Sequence, residues 1–184
     1  PAAILAASHQ VDLFDIQTGR PYARGIHMLD EQAADRAAGA AARELAGPLI
    51  DRGGAGPEDG EAVAEIDRLC GRVHDGVEAR VQEILSARKI PGVVGGDHSV
   101  ALGGIRAVAG WYPGVGILHI DAHADLRDRF EGFRYSHASI MHNVLAEADV
   151  SRLVQIGIRD VGESEVRAAA ADRRVVLHHD MDWK

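Results

Sequence analysis

Apolar residues recur along this chain with two periods, and the change from one to the other marks its elements. From Glu61 to Ala87, residues Val63, Ile66, Leu69, Val73, Val77, Val81, Ile84 and Leu85 fall at three- and four-residue steps. That spacing predicts a long amphipathic helix. Asp30 to Ile50 is alanine-rich with scattered charges and predicts another helix, interrupted at Gly39 and stopped at Gly47-Pro48. Asp51 to Gly60 reads as a surface loop, not a domain linker, because the following helix is needed to cover a sheet. Short apolar runs, Ile90 to Gly95 and Val115 to Ile120, predict strands buried on both faces. Leu153 to Gly157 and Arg174 to Leu177 add two more strands. Ser99 to Ala109 (with Ser99 as its cap), His137 to Glu147 and Glu163 to Ala171 predict helices between them, and Asp121 to Ser136 is left as a loop. The alternation predicts an α/β fold: a parallel sheet flanked by helices, with right-handed crossovers, as one domain over residues 1–184.

Composition narrows the chemistry. A chain of 184 residues that is 46% hydrophobic can bury a core of its own. Its net charge of −8 and its lack of any Lys/Arg block argue against nucleic acid or an anionic membrane surface as partner. No apolar run approaches the ~18 residues of a membrane span, and no signal peptide is visible. With Cys70 as the one cysteine, no intramolecular disulfide can form. The expected location is the cytoplasm, and Cys70 is read as a small buried hydrophobe.

The candidate chemistry sits at the carboxyl ends of two predicted strands, where functional groups gather in open parallel sheets. One strand leads into Gly95-Gly96-Asp97-His98-Ser99, the other into Asp121-Ala122-His123-Ala124-Asp125. The paired glycines allow a tight turn that aims His98. If the backbone stays extended past Ile120, Asp121, His123 and Asp125 face one point, with Ala122 and Ala124 turned away. His98, Asp121, His123 and Asp125 form a nitrogen and oxygen donor set without thiolate, suited to Mn, Ni, Zn or Fe. A carboxylate such as Asp121 has two oxygens and can bridge two metals about 3.5–4 Å apart. Asp97 is expected to orient a ligand or shape the turn. His119, inside the apolar strand, is expected to point away from Asp121 and to be a hydrogen-bonded core histidine.

These two motifs, with Tyr135-Ser136-His137-Ala138-Ser139, resemble those of the ureohydrolase family of arginase, agmatinase and formimidoylglutamase. The stretch from Leu126-Arg127 to Ile140-Met141 looks most like the agmatinase-like branch. The resemblance implies a three-layer arginase-like fold and hydrolysis of a guanidinium compound to urea and an amine. It implies two divalent metals, Mn most of all, with Ni the alternative. His98, Asp121 and Asp125 would hold one, and His123 and Asp121 the other. It gives Asp125 a second role as hydrogen-bond acceptor for the nucleophile, and His137 the role of proton donor to the leaving amine. Arg127, just past the last ligand, falls where family members select the far end of the substrate. An arginine there favours a guanidino acid or guanidine itself over agmatine, unless Asp128 or Glu131 neutralises it. A homo-oligomer, trimer or hexamer, is implied too.

The family's third motif, Asp-x-Asp followed by Asp-Pro, is not found within these residues. Asp180-Met181-Asp182 lacks the Asp-Pro and lies too close behind Asp125, so it is read as the loop after a strand. The chain is therefore expected to be part of a longer protein. Two alternatives remain: hydrolysis of a guanidino acid, guanidine or formimidoylglutamate, and a non-catalytic relative that binds metal poorly.

Overall fold

The alanine-rich and amphipathic stretches form two helices that pack against each other and precede the sheet in the chain. The structure, a computed structural model, describes residues 2–182; Pro1, Trp183 and Lys184 lie outside the described residues, as do the side chains of Ala2 and Asp182. Helix α1 spans Ala2–Ser8, α2 Ala33–Asp51 and α3 Gly60–Ser86. Helix α2 runs through Pro48 instead of stopping at it, because Leu49 in its last turn is buried against Ile66 and Phe133. Ala38 and Ala42 pack on Leu69 of α3. Cys70 is a partly buried neighbour of these clusters, and burial pushes its thiol up to about 11, the behaviour of a structural residue.

Helix α4 (Ala101–Trp111) crosses α3 closely, and β1 (Val115–Ile120) follows it. Then come α5 (Ile140–Glu147), β2 (Val150–Ile158), α6 (Glu163–Ala171) and β3 (Val175–His179). The three strands form a parallel sheet in the order β1-β2-β3, with a helix between each consecutive pair. Register places Ile117 beside Leu153 and His119 beside Gln155, and Gln155 in turn beside Leu177. This face carries the main core: Leu153 and Ile158 pack with Leu102 of α4 and Ile140, Met141 and Val144 of α5.

Two strand expectations change. Leu118 and Ile120, on the other face of β1, are 61% and 74% exposed. The helices cover only the face bearing Ile117 and His119, so β1 is buried on one side, not two. Ile90 to Gly95 forms no strand. A groove of about 330 Å³, lined by Val93, Gly104, Val108, Val115 and Ile117, separates it from β1, and an apolar run without a neighbour in hydrogen-bonding reach cannot join a ladder. The Asp180–Asp182 segment is a short turn after β3, as expected.

Candidate metal centre

The second motif is fixed by backbone bonds to its neighbours. Asp121 N–H donates to the Ile156 carbonyl at 3.1 Å, and the Ala122 carbonyl accepts from the amides of Arg159 and Asp160 at 2.9 and 3.0 Å. The extended conformation ends there. Asp125 takes a left-handed backbone (φ 53°), and its carbonyl accepts from the Met141 and His142 amides at the start of α5. Such a conformation is uncommon outside glycine, Asn and Asp. It turns the Asp125 side chain into the protein, where the residue is 5% exposed.

The first motif is a turn built by Asp97. Its carboxylate accepts from the Ser99 amide at 2.9 Å, capping the short His98–Val100 turn, so Asp97 and not Ser99 is the cap. Neither Gly95 nor Gly96 adopts a left-handed conformation. The turn packs against the corresponding His137–Ser139 turn, capped in the same way by Ser136.

These elements bring His98, His119, Asp121 and Asp125 together, with one donor atom of each within 4.8 Å of all the others. His98 Nδ1 is 2.7 Å from Asp125 Oδ2 and 3.7 Å from Asp121 Oδ2. His119 is not turned away from Asp121: its Nε2 lies 3.4 Å from Asp121 Oδ2. Two residues apart in a strand means the same face, and the sheet holds that geometry to its end. His119 is, as expected, a hydrogen-bonded core histidine, its Nδ1 2.9 Å from Gln155 Nε2.

His123 stands apart from this group, its side chain 56% exposed. Its Nδ1 is 3.5 Å from the other oxygen of Asp121, Oδ1, and its Nε2 is 3.6 Å from Asp160 Oδ2. The two oxygens of Asp121 therefore face two separate sets of groups. Asp160 was missed in the sequence, although its position just past β2 follows the same strand-end logic as Asp121.

Electrostatics fit a cationic guest. The bond to Asp125 raises His98 above the ordinary imidazole range, against the effect of burial. Burial and the neighbouring His98 push His119 down. Burial also pushes the Asp121 carboxyl up, but the His123 amide and the His119 and His98 rings outweigh it and hold it low. Two carboxylates and nitrogen donors around a largely buried point suit a divalent ion.

His137 is not part of this cluster. It is exposed, edge-on to Phe130 at 5.6 Å, with Nδ1 3.5 Å from Ser136 Oγ. Arg127 is neutralised by neither Asp128 nor Glu131. Its Nε is 3.4 Å from Glu165 Oε2, and its guanidinium lies over the Phe130 ring at 4.9 Å. Asp128 instead faces His142 at 3.3 Å. No sequence signal marked Glu165, which reaches the loop from α6.

Among the described residues no helix is long and apolar enough to cross a membrane. The chain is 42% identical over 104 residues to "Arginase 2, chloroplastic/mitochondrial" of Arabidopsis thaliana, a match covering 56% of this chain and 29% of that protein. It is 35% identical over 117 residues to a guanidinobutyrase of Pseudomonas aeruginosa, covering 59% of this chain and 37% of the relative. The agmatine ureohydrolase of Thermoplasma volcanium superposes with a TM-score of 0.51 at 34% identity, covering 61% of this chain and 37% of that structure. The matched part thus spans less than two fifths of each of these relatives. The Arginase family model matches residues 1–184, and with both motifs contributing to one His/Asp cluster, the chain belongs to the arginase family.

Proposed function

We propose that the complete protein is a binuclear-metal hydrolase that cleaves a C–N bond of a small guanidinium compound, adding water to release urea and an amine. The observation that carries this reading is the divided surroundings of Asp121, with Oδ2 toward His98 and His119 and Oδ1 toward His123. In this reading His98, Asp121 and Asp125 hold one ion and His123 and Asp121 the other. Two divalent ions there, Mn or Ni, would bring a water to near-neutral pKa beside the guanidinium carbon. Asp125 would accept a hydrogen bond from that water and orient it. His137, on the turn packed against that of His98, donates the proton that the leaving amine needs. Assembly as a homo-oligomer belongs to the same reading.

For the substrate tail, Arg127 is the residue to watch. Glu165 engages its Nε, and the Nη end is what a substrate carboxylate would meet. This favours a guanidino acid or guanidine over agmatine, whose ammonium would face a cation. The similar arginase, guanidinobutyrase and agmatine ureohydrolase leave the class open at this level.

The test is metal analysis of the complete protein, followed by urea release from agmatine, 4-guanidinobutanoate, arginine and guanidine, and formamide release from formimidoylglutamate. Two ions per chain are expected, with both sites depleted in Asp121→Ala. 4-Guanidinobutanoate or guanidine should lead the panel, and Arg127→Ala should erase that preference. Unchanged metal content in Asp121→Ala would reject the bridge. Agmatine as best substrate, indifferent to Arg127→Ala, would reject the tail assignment. A metal-free, inactive protein would favour the non-catalytic relative.

A further inference from the structure

Gln155 takes no part in the reading above, yet it is fully buried and faces the cluster. It sits on β2 directly beside His119 of β1. Its Nε2 is 2.6 Å from the Ala124 carbonyl oxygen and 2.9 Å from His119 Nδ1. The first contact settles which amide atom this is. Two carbonyl-type oxygens would repel at that distance, so the nitrogen faces Ala124 and donates to it. Its second proton then points at His119 Nδ1, which must accept. A neutral imidazole that accepts at Nδ1 carries its proton on Nε2.

That Nε2 is buried, without a hydrogen-bond partner among the described residues, and 3.4 Å from Asp121 Oδ2. A nitrogen carrying a proton has no lone pair to give. His119 therefore lies inside the His/Asp cluster without being one of its ligands. What it can offer is an N–H to the carboxylate beside it.

We propose that Gln155 and His119 are a positioning pair for the bridging carboxylate. Gln155 locks His119 in the Nε2–H form, and His119 donates to Asp121 Oδ2. This fixes the rotation of a carboxylate whose two oxygens face two different sets of groups. The pair touches neither substrate nor nucleophile. It acts through Asp121, and so rests on the metal reading given under Proposed function. The 3.4 Å separation is at the outer edge of a hydrogen bond, and the part-exposed Asp121 carboxylate can close it by a small rotation about the bond its Oδ1 accepts from the His123 amide.

The test uses the complete protein with ¹⁵N-labelled histidine. In the metal-free wild type, the His119 ring should show an unprotonated Nδ1 and a protonated Nε2. Gln155→Glu nearly preserves the shape but reverses the bond. A buried acid there donates its one proton to Ala124 and can only accept from His119, which should switch to Nδ1–H. An Nε2 lone pair then faces Asp121. Metal affinity, followed by Mn titration, should fall about 10- to 100-fold. Gln155→Met keeps the volume without either bond; it should give a mixed tautomer and a smaller loss. An Nδ1–H ring in the wild type with normal metal uptake overturns this proposal alone, as does a switched tautomer with unchanged affinity. A wild type that takes up no metal overturns the metal reading and this proposal together.

Discussion

Glu165 shows how one buried carboxylate ties a site loop to the rest of the fold. The residue is 3% exposed and accepts from the Leu126 amide at 3.0 Å, the Gly162 amide at 2.9 Å and Arg127 Nε at 3.4 Å. Leu126 directly follows Asp125, so α6 holds the backbone that sets the buried Asp125 carboxylate. Removing the carboxylate leaves two amides short of an acceptor and a guanidinium without its partner. Glu165→Ala should lose about 1–3 kcal/mol, and Glu165→Gln, which keeps an acceptor, less. Urea denaturation of both variants measures it, and equal stability of all three proteins would remove Glu165 from this role. At this scale the sequence was informative wherever a motif is local. His98, Asp121 and Asp125 meet, but His98 follows no strand, Asp125 is turned inward by its left-handed backbone, and His123, expected beside them, stands apart. Gln155 and Glu165 are illegible because each acts across the sheet or from another helix, on partners 31 to 39 residues away, whereas Asp160 lies within reach of the strand-end rule. His119 lay within reach of the same-face rule but was assigned to the wrong face.

Between elements, α4 approaches the backbone of α3 closely where the two cross. Gly103 of α4 has no room for a side chain: a methyl group there would overlap the His74 carbonyl oxygen and sit 3.0 Å from the Glu78 nitrogen. Both belong to the backbone of α3, which cannot yield without moving the helix. Gly103→Ala should therefore destabilise by about 1–3 kcal/mol through overpacking. Gly110, near the end of the same helix, meets nothing within 4 Å. Gly110→Ala should be neutral or gain up to about 1 kcal/mol from helix propensity. Thermal unfolding of the pair separates crowding from propensity; similar shifts would show that the helices can slide apart. Element boundaries followed the apolar period closely for α3, β1 and α6, whose patterns are long or cleanly bounded. The failure at Ile90–Gly95 has a different origin. Periodicity reports what a segment could bury, whereas a strand also needs a partner backbone, and among the described residues none pairs with this one. The same limit explains β1, where an apolar run says nothing about how many layers will cover it.

For the molecule as a whole, His74 is an acid-sensitive element inside the helical layer. It is 1% exposed, edge-on to Tyr135 at 4.7 Å, and its Nδ1 has no hydrogen-bond partner among the described residues. Burial, with the nearby Arg106 cation, lowers its pKa to about 4, against the opposing pull of Glu147, Asp75 and Asp97. In the unfolded chain a histidine titrates near 6.5. The folded state thus refuses a proton that the unfolded state accepts between those two values. Stability from this residue is fully present above about pH 6.5 and is lost progressively as pH falls toward 4, to a total of about 3 kcal/mol. Replacement by leucine removes the titration while keeping an apolar filling. The fall in urea midpoint between pH 7.5 and 4.5 should be clearly shallower in His74→Leu than in the wild type. Contributions from groups remote from His74 are common to both proteins and cancel in the difference, while the pull of Glu147, Asp75 and Asp97 on the ring is lost with it. Parallel pH profiles would mean that His74 gains a proton in the folded state without cost. The α3–α4 layer would then have to open around the ring, against the close backbone contact at Gly103.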